Sequence, residues 1–300
     1  MPLRTTPAWA RLTAGPAPIL TAAVLWGTTG TAGSLAPASA PPAAVGCAGL
    51  TLGGLLLFIT SRGARSLPPT SSRRDRWSFL LGAIAVAGYP ITFYPAVSRT
   101  GVAVATVIAL GSAPVFAGLL GWATGHGRPT GTWVAATTAA ILGCGLLVLG
   151  PHLTDHPTTV DTTGTALAAA AGFSYAAYSV IGSRLIASGH EPDRVMGALF
   201  GAAGLLVLPL VLTLDTTWLT RPSGIAVATY LALFTVYLAY RCFGHGLRHT
   251  PAPTATTLTL AEPAVAATLG TTVLGERLPP LSWCGLLVLA AALTLLTRRR

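Results

Sequence analysis

Residues 12–61 read LTAGPAPILTAAVLWGTTGTAGSLAPASAPPAAVGCAGLTLGGLLLFITS, an unbroken run without one charged side chain. A membrane-spanning helix needs about 20 mostly apolar residues. The run therefore holds two such helices, with Pro37, Pro41 and Pro42 marking the turn between them. Further charge-poor runs follow at 77–98, 100–127, 129–154, 162–183, 195–214, 222–247, 249–275 and 278–297, which brings the expected count to ten. Composition agrees: 52% of residues are hydrophobic and 9% charged, with mean hydropathy +0.66. A soluble domain carries roughly 25% charged residues. Charges at membrane depth are costly, so the deficit marks a surface that faces lipid.

Arginine sets the orientation. All 18 basic residues are arginine. With the N-terminus in the cytoplasm, fifteen of them fall on the cytoplasmic side, and Arg99, Arg221 and Arg277 fall outside. That asymmetry follows the positive-inside rule, and one missed helix would invert it downstream. The net charge of +10 is then a topological signal, and no nucleic-acid partner is expected. Residues 1–18 are expected to be a cytoplasmic tail with no cleavable signal, 151–163 an external linker loop, and 298–300 a cytoplasmic C-terminus.

The chain repeats itself at an offset near 150. Phe93, Thr100, Ala105, Thr106 and Leu110 match Phe243, Thr250, Ala255, Thr256 and Leu260. After one dropped residue, Pro114, Gly121 and Arg128 match Pro263, Gly270 and Arg277. The halves, 19–150 and 164–297, each hold five expected helices. An odd number inserts the second half upside down, so the expected fold is an all-α membrane protein of ten transmembrane helices in two inverted five-helix repeats. That plan places a site near the midplane between the halves.

Glu262 is the one carboxylate inside an expected span, and it directly precedes Pro263. Pro263 leaves a carbonyl without its helical donor, which invites a bend. A carboxylate there can bind a cation or a substrate amine, take up a proton, or serve structure by pairing with an arginine or hydroxyls. Arg241 is the second internal charge; it can snorkel to the interface, pair with Glu262 or bind a substrate carboxylate. Pro90 and Pro114 are expected kinks. Trp26, Phe173 and the pairs Tyr175/Tyr178 and Tyr237/Tyr240 can line a pocket for a ring or amphipathic metabolite, or serve as interfacial anchors and packing. Glycine spacings at Gly27/Gly30/Gly33, Gly49/Gly53, Gly121/Gly125 and Gly197/Gly201 suit close helix contacts. Cys47, Cys144, Cys242 and Cys284 read as small buried thiols. His152, Asp155 and His156 have too few ligands for a metal site, and His245 and His249 read as interfacial. No HExxH, GxSxG or P-loop is present, so no catalytic residue, cofactor or metal is expected.

Longer stretches resemble a known family. In the first half these are AAVLWGTTGTAGSL, with the pair Trp26-Gly27, and FYPAVSRTGVAVATVIALGSAPVFAGLLG, with Tyr94 near its start and Ser112-Ala113-Pro114-Val115-Phe116 inside. In the second half the stretch is PTATTLTLAEPAVAATLGTTVLGERLP, carrying Glu262-Pro263 and Gly275-Glu276-Arg277-Leu278. Over residues 19–297 the chain is similar to the EamA-type branch of the drug/metabolite transporter superfamily. It departs at His126-Gly127, where the family has glycine-glutamate, and around Cys47-Ala48-Gly49-Leu50, where an arginine often stands. The resemblance implies a secondary transporter with both termini cytoplasmic, exporting metabolites, amino acids or drugs by alternating access. Candidate substrate-binding residues are Trp26, Tyr94, Ser112, Phe173, Tyr178, Tyr237, Arg241 and Glu262, with helix kinks at Pro90, Pro114 and Pro263. The expected partners are a small-molecule substrate, protons or another coupling ion, and the lipid bilayer of the cytoplasmic membrane; a homodimer is left open. The rival classes are a membrane-embedded enzyme or lipid-handling protein, with polar groups clustered at one interface, and a sensor or scaffold with no central cavity.

Overall fold

The computed structural model describes residues 15–61, 72–125, 128–149, 161–275 and 277–298. The HLTDH stretch, His126-Gly127, Glu276 and residues 1–14 of the expected tail lie outside the described residues. All regular structure among the described residues is helical: α1 (Pro16–Gly27), α2 (Thr29–Gly33), α3 (Pro42–Thr60), α4 (Arg73–Ala123), α5 (Gly131–Leu149), α6 (Thr162–Ala187), α7 (Pro192–Thr213), α8 (Pro222–Tyr230), a π-helical stretch (Leu231–Leu238), α9 (Ala239–Leu247), α10 (Ala252–Leu258), α11 (Ala261–Thr272) and α12 (Pro280–Arg298), with one 3₁₀ turn at Thr217–Thr220. Among the described residues, seven helical segments are long and apolar enough to cross a membrane: 42–60, 73–123, 131–149, 162–187, 192–213, 222–247 and 280–297.

Local chemistry sets the helix starts. Proline opens α1, α3, α7 and α8, where its missing N–H costs nothing. A reciprocal cap opens α4: the Asp75 amide donates to Ser72 Oγ at 3.1 Å, and the Ser72 amide donates to Asp75 Oδ2 at 3.2 Å. At the start of α6 the Gly164 amide donates to Asp161 at 2.7 Å, and Arg99 lies 3.4 Å from the same carboxylate. The Gly164 bond first, then Arg99, hold the Asp161 carboxyl below its usual range.

Helix α4 doubles back at Gly101, whose φ of 82° suits glycine alone. From that point both arms run along α6. Thr100 abuts Gly164, Gly88 abuts Ser174 and Gly82 abuts Ile181 on one arm; Ser112 abuts Gly172 on the other. Elsewhere α3 packs on α7, α5 on α12, and α1 on α9 and α11. Glycines allow these approaches. Gly53 fits beneath Val236, Gly201 beneath Phe58, and Gly143 and Gly285 meet the facing backbone between α5 and α12. Gly30, Gly33 and Gly125 face open space and play no such part.

The interior is built largely of alanine and glycine, while Leu142, Leu212 and Leu287 stand exposed on the outside. This reversal of a soluble pattern is what a lipid-facing surface produces. Cys47 and Cys144 are buried and Cys242 is half-buried, but Cys284 is exposed, which corrects the expectation of four buried thiols. The outward face of α12 carries it beside Leu287, where lipid replaces protein packing.

Candidate functional site

A cavity of about 230 Å³ lies where the two halves meet. Its wall draws on α1 and α2 (Trp26, Thr29), α3 (Gly46, Gly49), α4 (Tyr89, Pro90, Tyr94, Thr106), α6 (Tyr175, Tyr178), α7 (Phe200), the π-helical stretch (Thr235), α9 (Tyr240) and α11 (Glu262). Among the described residues, Glu262 is the only charged one in that wall. Its carboxylate makes no hydrogen bond or ion pair with the described residues, and it keeps partial exposure because it faces the cavity.

The backbone explains how Glu262 reaches this position. Pro263 has no N–H to donate to the Thr259 carbonyl. The Glu262 amide donates to that carbonyl instead, at 3.0 Å, in the tighter three-residue pattern. The helix therefore stops at Leu258 and restarts at Ala261, with Glu262 in the first turn of α11. A helix N-terminus favours negative charge. Helix α1 also breaks, at Thr28 and without a proline, and the Thr28 hydroxyl donates back to the Leu25 carbonyl at 2.6 Å. A tyrosine pins each break: Tyr230 donates to Thr28 Oγ1 at 2.9 Å, and Tyr175 donates to Thr259 Oγ1 at 2.7 Å. The breaks also touch, because a Cβ added to Gly27 would stand 2.9 Å from the Glu262 carbonyl oxygen.

Aromatic rings surround the carboxylate. Trp26 lies 5.0 Å from Tyr240 and meets Tyr175 edge-on at 6.4 Å; Tyr89 meets Tyr175 at 6.3 Å. The Tyr178 and Tyr240 hydroxyls are 3.1 Å apart. The Trp26 indole donates to the Thr235 carbonyl at 2.8 Å, inside the π-helical stretch. Such stretches are frequent at functional sites. A carboxyl group ringed by π-faces is chemistry suited to a small cation, above all an ammonium group.

Both halves of the chain match one family profile, that of the EamA-like transporter family, over residues 14–149 and again over 162–298. The chain belongs to the EamA-like transporter family. It is 38% identical over 280 residues to the uncharacterized transporter YwfM of Bacillus subtilis, covering 93% of this chain and 92% of that protein. It is 27% identical to the uncharacterized inner membrane transporter YicL of Salmonella typhimurium, covering 94% and 95%. It is 29% identical to the threonine/homoserine exporter RhtA of Salmonella typhimurium, covering 76% and 74%. A solved crystal structure superposes with TM-score 0.78 at 19% identity, covering 95% of this chain and 98% of that one, and so shares the fold.

Within this EamA-like frame the expected site residues divide. Trp26, Tyr94, Tyr178, Glu262 and Pro90 line the cavity. Ser112, Phe173, Tyr237 and Arg241 stand outside its wall. Ser112 donates to the Ala109 carbonyl at 3.3 Å, and Phe173 meets Phe116 edge-on at 5.6 Å. Arg241 does not pair with Glu262: it donates to Asp193 at 2.5 Å and to the Tyr237 hydroxyl at 2.7 Å. Its partner is Asp193 because α7 begins at Pro192, three residues before the sequence boundary, and brings Asp193 into its first turn. The backbone stays helical at Pro90 and Pro114, and the break in α4 is at Gly101. Sequence reasoning missed Tyr89 and Thr235. Tyr89 carries the signal of preceding Pro90; Thr235 depends on a π-helical register that no residue spacing announces.

Proposed function

We propose that this chain is a secondary transporter that exports small amine-bearing metabolites, amino acids among them, across the cytoplasmic membrane. Support comes chiefly from one observation: an unpaired carboxylate, Glu262, inside an aromatic cavity between the two family repeats. The cavity, at about 230 Å³, is smaller than the roughly 300–1,000 Å³ of drug-sized sites. That size favours a metabolite over a drug. Similarity to a threonine/homoserine exporter points the same way. The reading is of a carrier, not an enzyme, in line with the names of its relatives.

In this reading the chain crosses the membrane ten times. Seven segments qualify by length and apolarity; the reversal at Gly101 makes α4 two crossings, and the pairs α1–α2 and α10–α11 supply two more. The repeats insert in opposite directions, and both termini lie in the cytoplasm. Symmetric packing supports this: α1 lies on α9 as α6 lies on the first arm of α4. The arginine-rich end faces the cytoplasm. There Arg241–Asp193, Arg248–Glu191 at 3.8 Å and His190–Asp75 at 3.8 Å tie the α6–α7 turn to its neighbours. The central cavity lies toward the other end. Alternating access then requires these ion pairs to part, and Glu262 holds either the substrate ammonium or a coupling proton.

The test is transport in proteoliposomes, with threonine, homoserine and a panel of other amines, under an imposed proton gradient. The expected outcome is gradient-dependent flux that Glu262→Gln reduces at least tenfold while the protein stays folded. Flux equal to that of empty vesicles for every solute sinks the carrier reading. Unchanged rate and pH dependence in Glu262→Gln removes the glutamate from the mechanism.

A further inference from the structure

A second cavity, of about 830 Å³, opens at the arginine-rich end of the bundle. It shares no lining residue with the central one. Its wall comes from the end of α4, the start of α5, the end of α6, the α9–α10 turn and the end of α12. Arg128, Arg184, Arg248 and His249 all line it, and among the described residues no acidic one does. Among the described residues Arg128 and Arg184 have no carboxylate partner, and the partner of Arg248, Glu191, is itself largely exposed at 3.8 Å.

One more feature bears on the ligand. Beside Thr130, Thr132 and Ser183 the wall carries apolar residues that open to the outside: Trp122 and Leu295 are exposed next to the half-buried Trp133. Positive charge alone is explained by topology. Three arginines on the wall of one cavity, with no carboxylate there among the described residues and an exposed apolar flank, call for an anionic amphiphile.

We infer that this cavity is a binding site for a phosphate group, held by Arg128, Arg184 and Arg248, and that its occupant is the headgroup of an anionic phospholipid whose chains lie along Trp122 and Leu295. Basic pockets between helices at the cytoplasmic face bind such headgroups. The site is independent of the transported solute.

The full chain in neutral detergent is titrated with phosphatidylglycerol, phosphatidylcholine, glycerol phosphate and inorganic phosphate, following the thermal midpoint and lipid adducts by native mass spectrometry. Phosphatidylglycerol is expected to raise the midpoint and persist as an adduct, phosphatidylcholine to do neither, and the free phosphates to need at least tenfold higher concentration. Arg128→Gln/Arg184→Gln is expected to weaken phosphatidylglycerol binding at least tenfold. Arg73→Gln/Arg76→Gln, at the same end but outside the cavity, is expected to leave it unchanged. Arg128→Gln alone, at an exposed position, serves if the double variant does not fold. Equal binding of both lipids, or equal loss in both double variants, overturns the site. Free phosphate binding as tightly as the lipid overturns the lipid as its occupant.

Discussion

The second arm of α4 and the pair α10–α11 are counterparts in the two repeats, and both carry a proline at the matching position, Pro114 and Pro263. Only the second breaks. Proline alone is therefore not the cause. Thr106 and Thr256 match, but Val107 and Ala109 stand where the second repeat has Thr257 and Thr259. Thr257 donates back to the Pro253 carbonyl at 2.9 Å, and Thr259 to the Thr256 carbonyl at 2.9 Å. Such bonds compete with the helix ladder and bend it. The same comparison puts Ala113 opposite Glu262. The first repeat keeps a continuous helical arm with alanine at that position; the second has a break and a carboxylate at the break.

The largest expected effect comes from forcing the repeats to match. Ala113 is fully buried. Ala113→Glu is expected to cost several kcal/mol, because a carboxyl must be taken out of water into a packed interior. Extraction in detergent should give little monodisperse protein, where Glu262→Gln gives a normal yield. If Ala113→Glu folds and transports normally, the cavity reaches this arm as well, and the asymmetry between repeats loses its meaning.

The contact between the two breaks comes next. A Cβ on Gly27 would stand 2.6 Å from the Val265 Cβ and 2.9 Å from the Glu262 carbonyl. Gly27→Ala is expected to destabilise by about 1–3 kcal/mol through overpacking. It should also impair transport, because α11 must shift away from α1. Gly30→Ala, which meets open space, is the control and should change neither thermal midpoint nor flux. Equal behaviour of the two variants would mean that the breaks move independently.

Much of this was legible before the structure. The repeat anchored by Pro114 and Pro263 shows in the residue matches themselves, and the charge-free run 12–61 and the lone carboxylate Glu262 stand out because charge is costly in lipid, a cost that leaves a mark on composition. Trp26, Tyr94 and Tyr178 were also legible as cavity residues. What was not legible depends on tertiary contact or on a boundary. Asp193 falls outside the apolar run, which begins at Val195, yet Pro192 starts the helix and delivers Asp193 to Arg241. At the break, Tyr175 donates to Thr259 from another helix, and no local pattern announces that donor.

The smallest expected effect tests that tether directly. Thr259→Val keeps the shape but removes both the acceptor for Tyr175 and the back-bond to Thr256. The Tyr175 hydroxyl is then left buried without a partner, a loss of about 1–3 kcal/mol. Tyr175→Phe should cost less, since Thr259 still donates to its own helix. In the double variant the orphaned hydroxyl is gone, so the combined loss should fall short of the sum by roughly 0.5–3 kcal/mol in unfolding measurements. Strict additivity would mean the hydroxyl pair does not hold the break. The difference between the repeats would then rest on the back-bonding threonines alone, and on the absence of their counterparts at Val107 and Ala109.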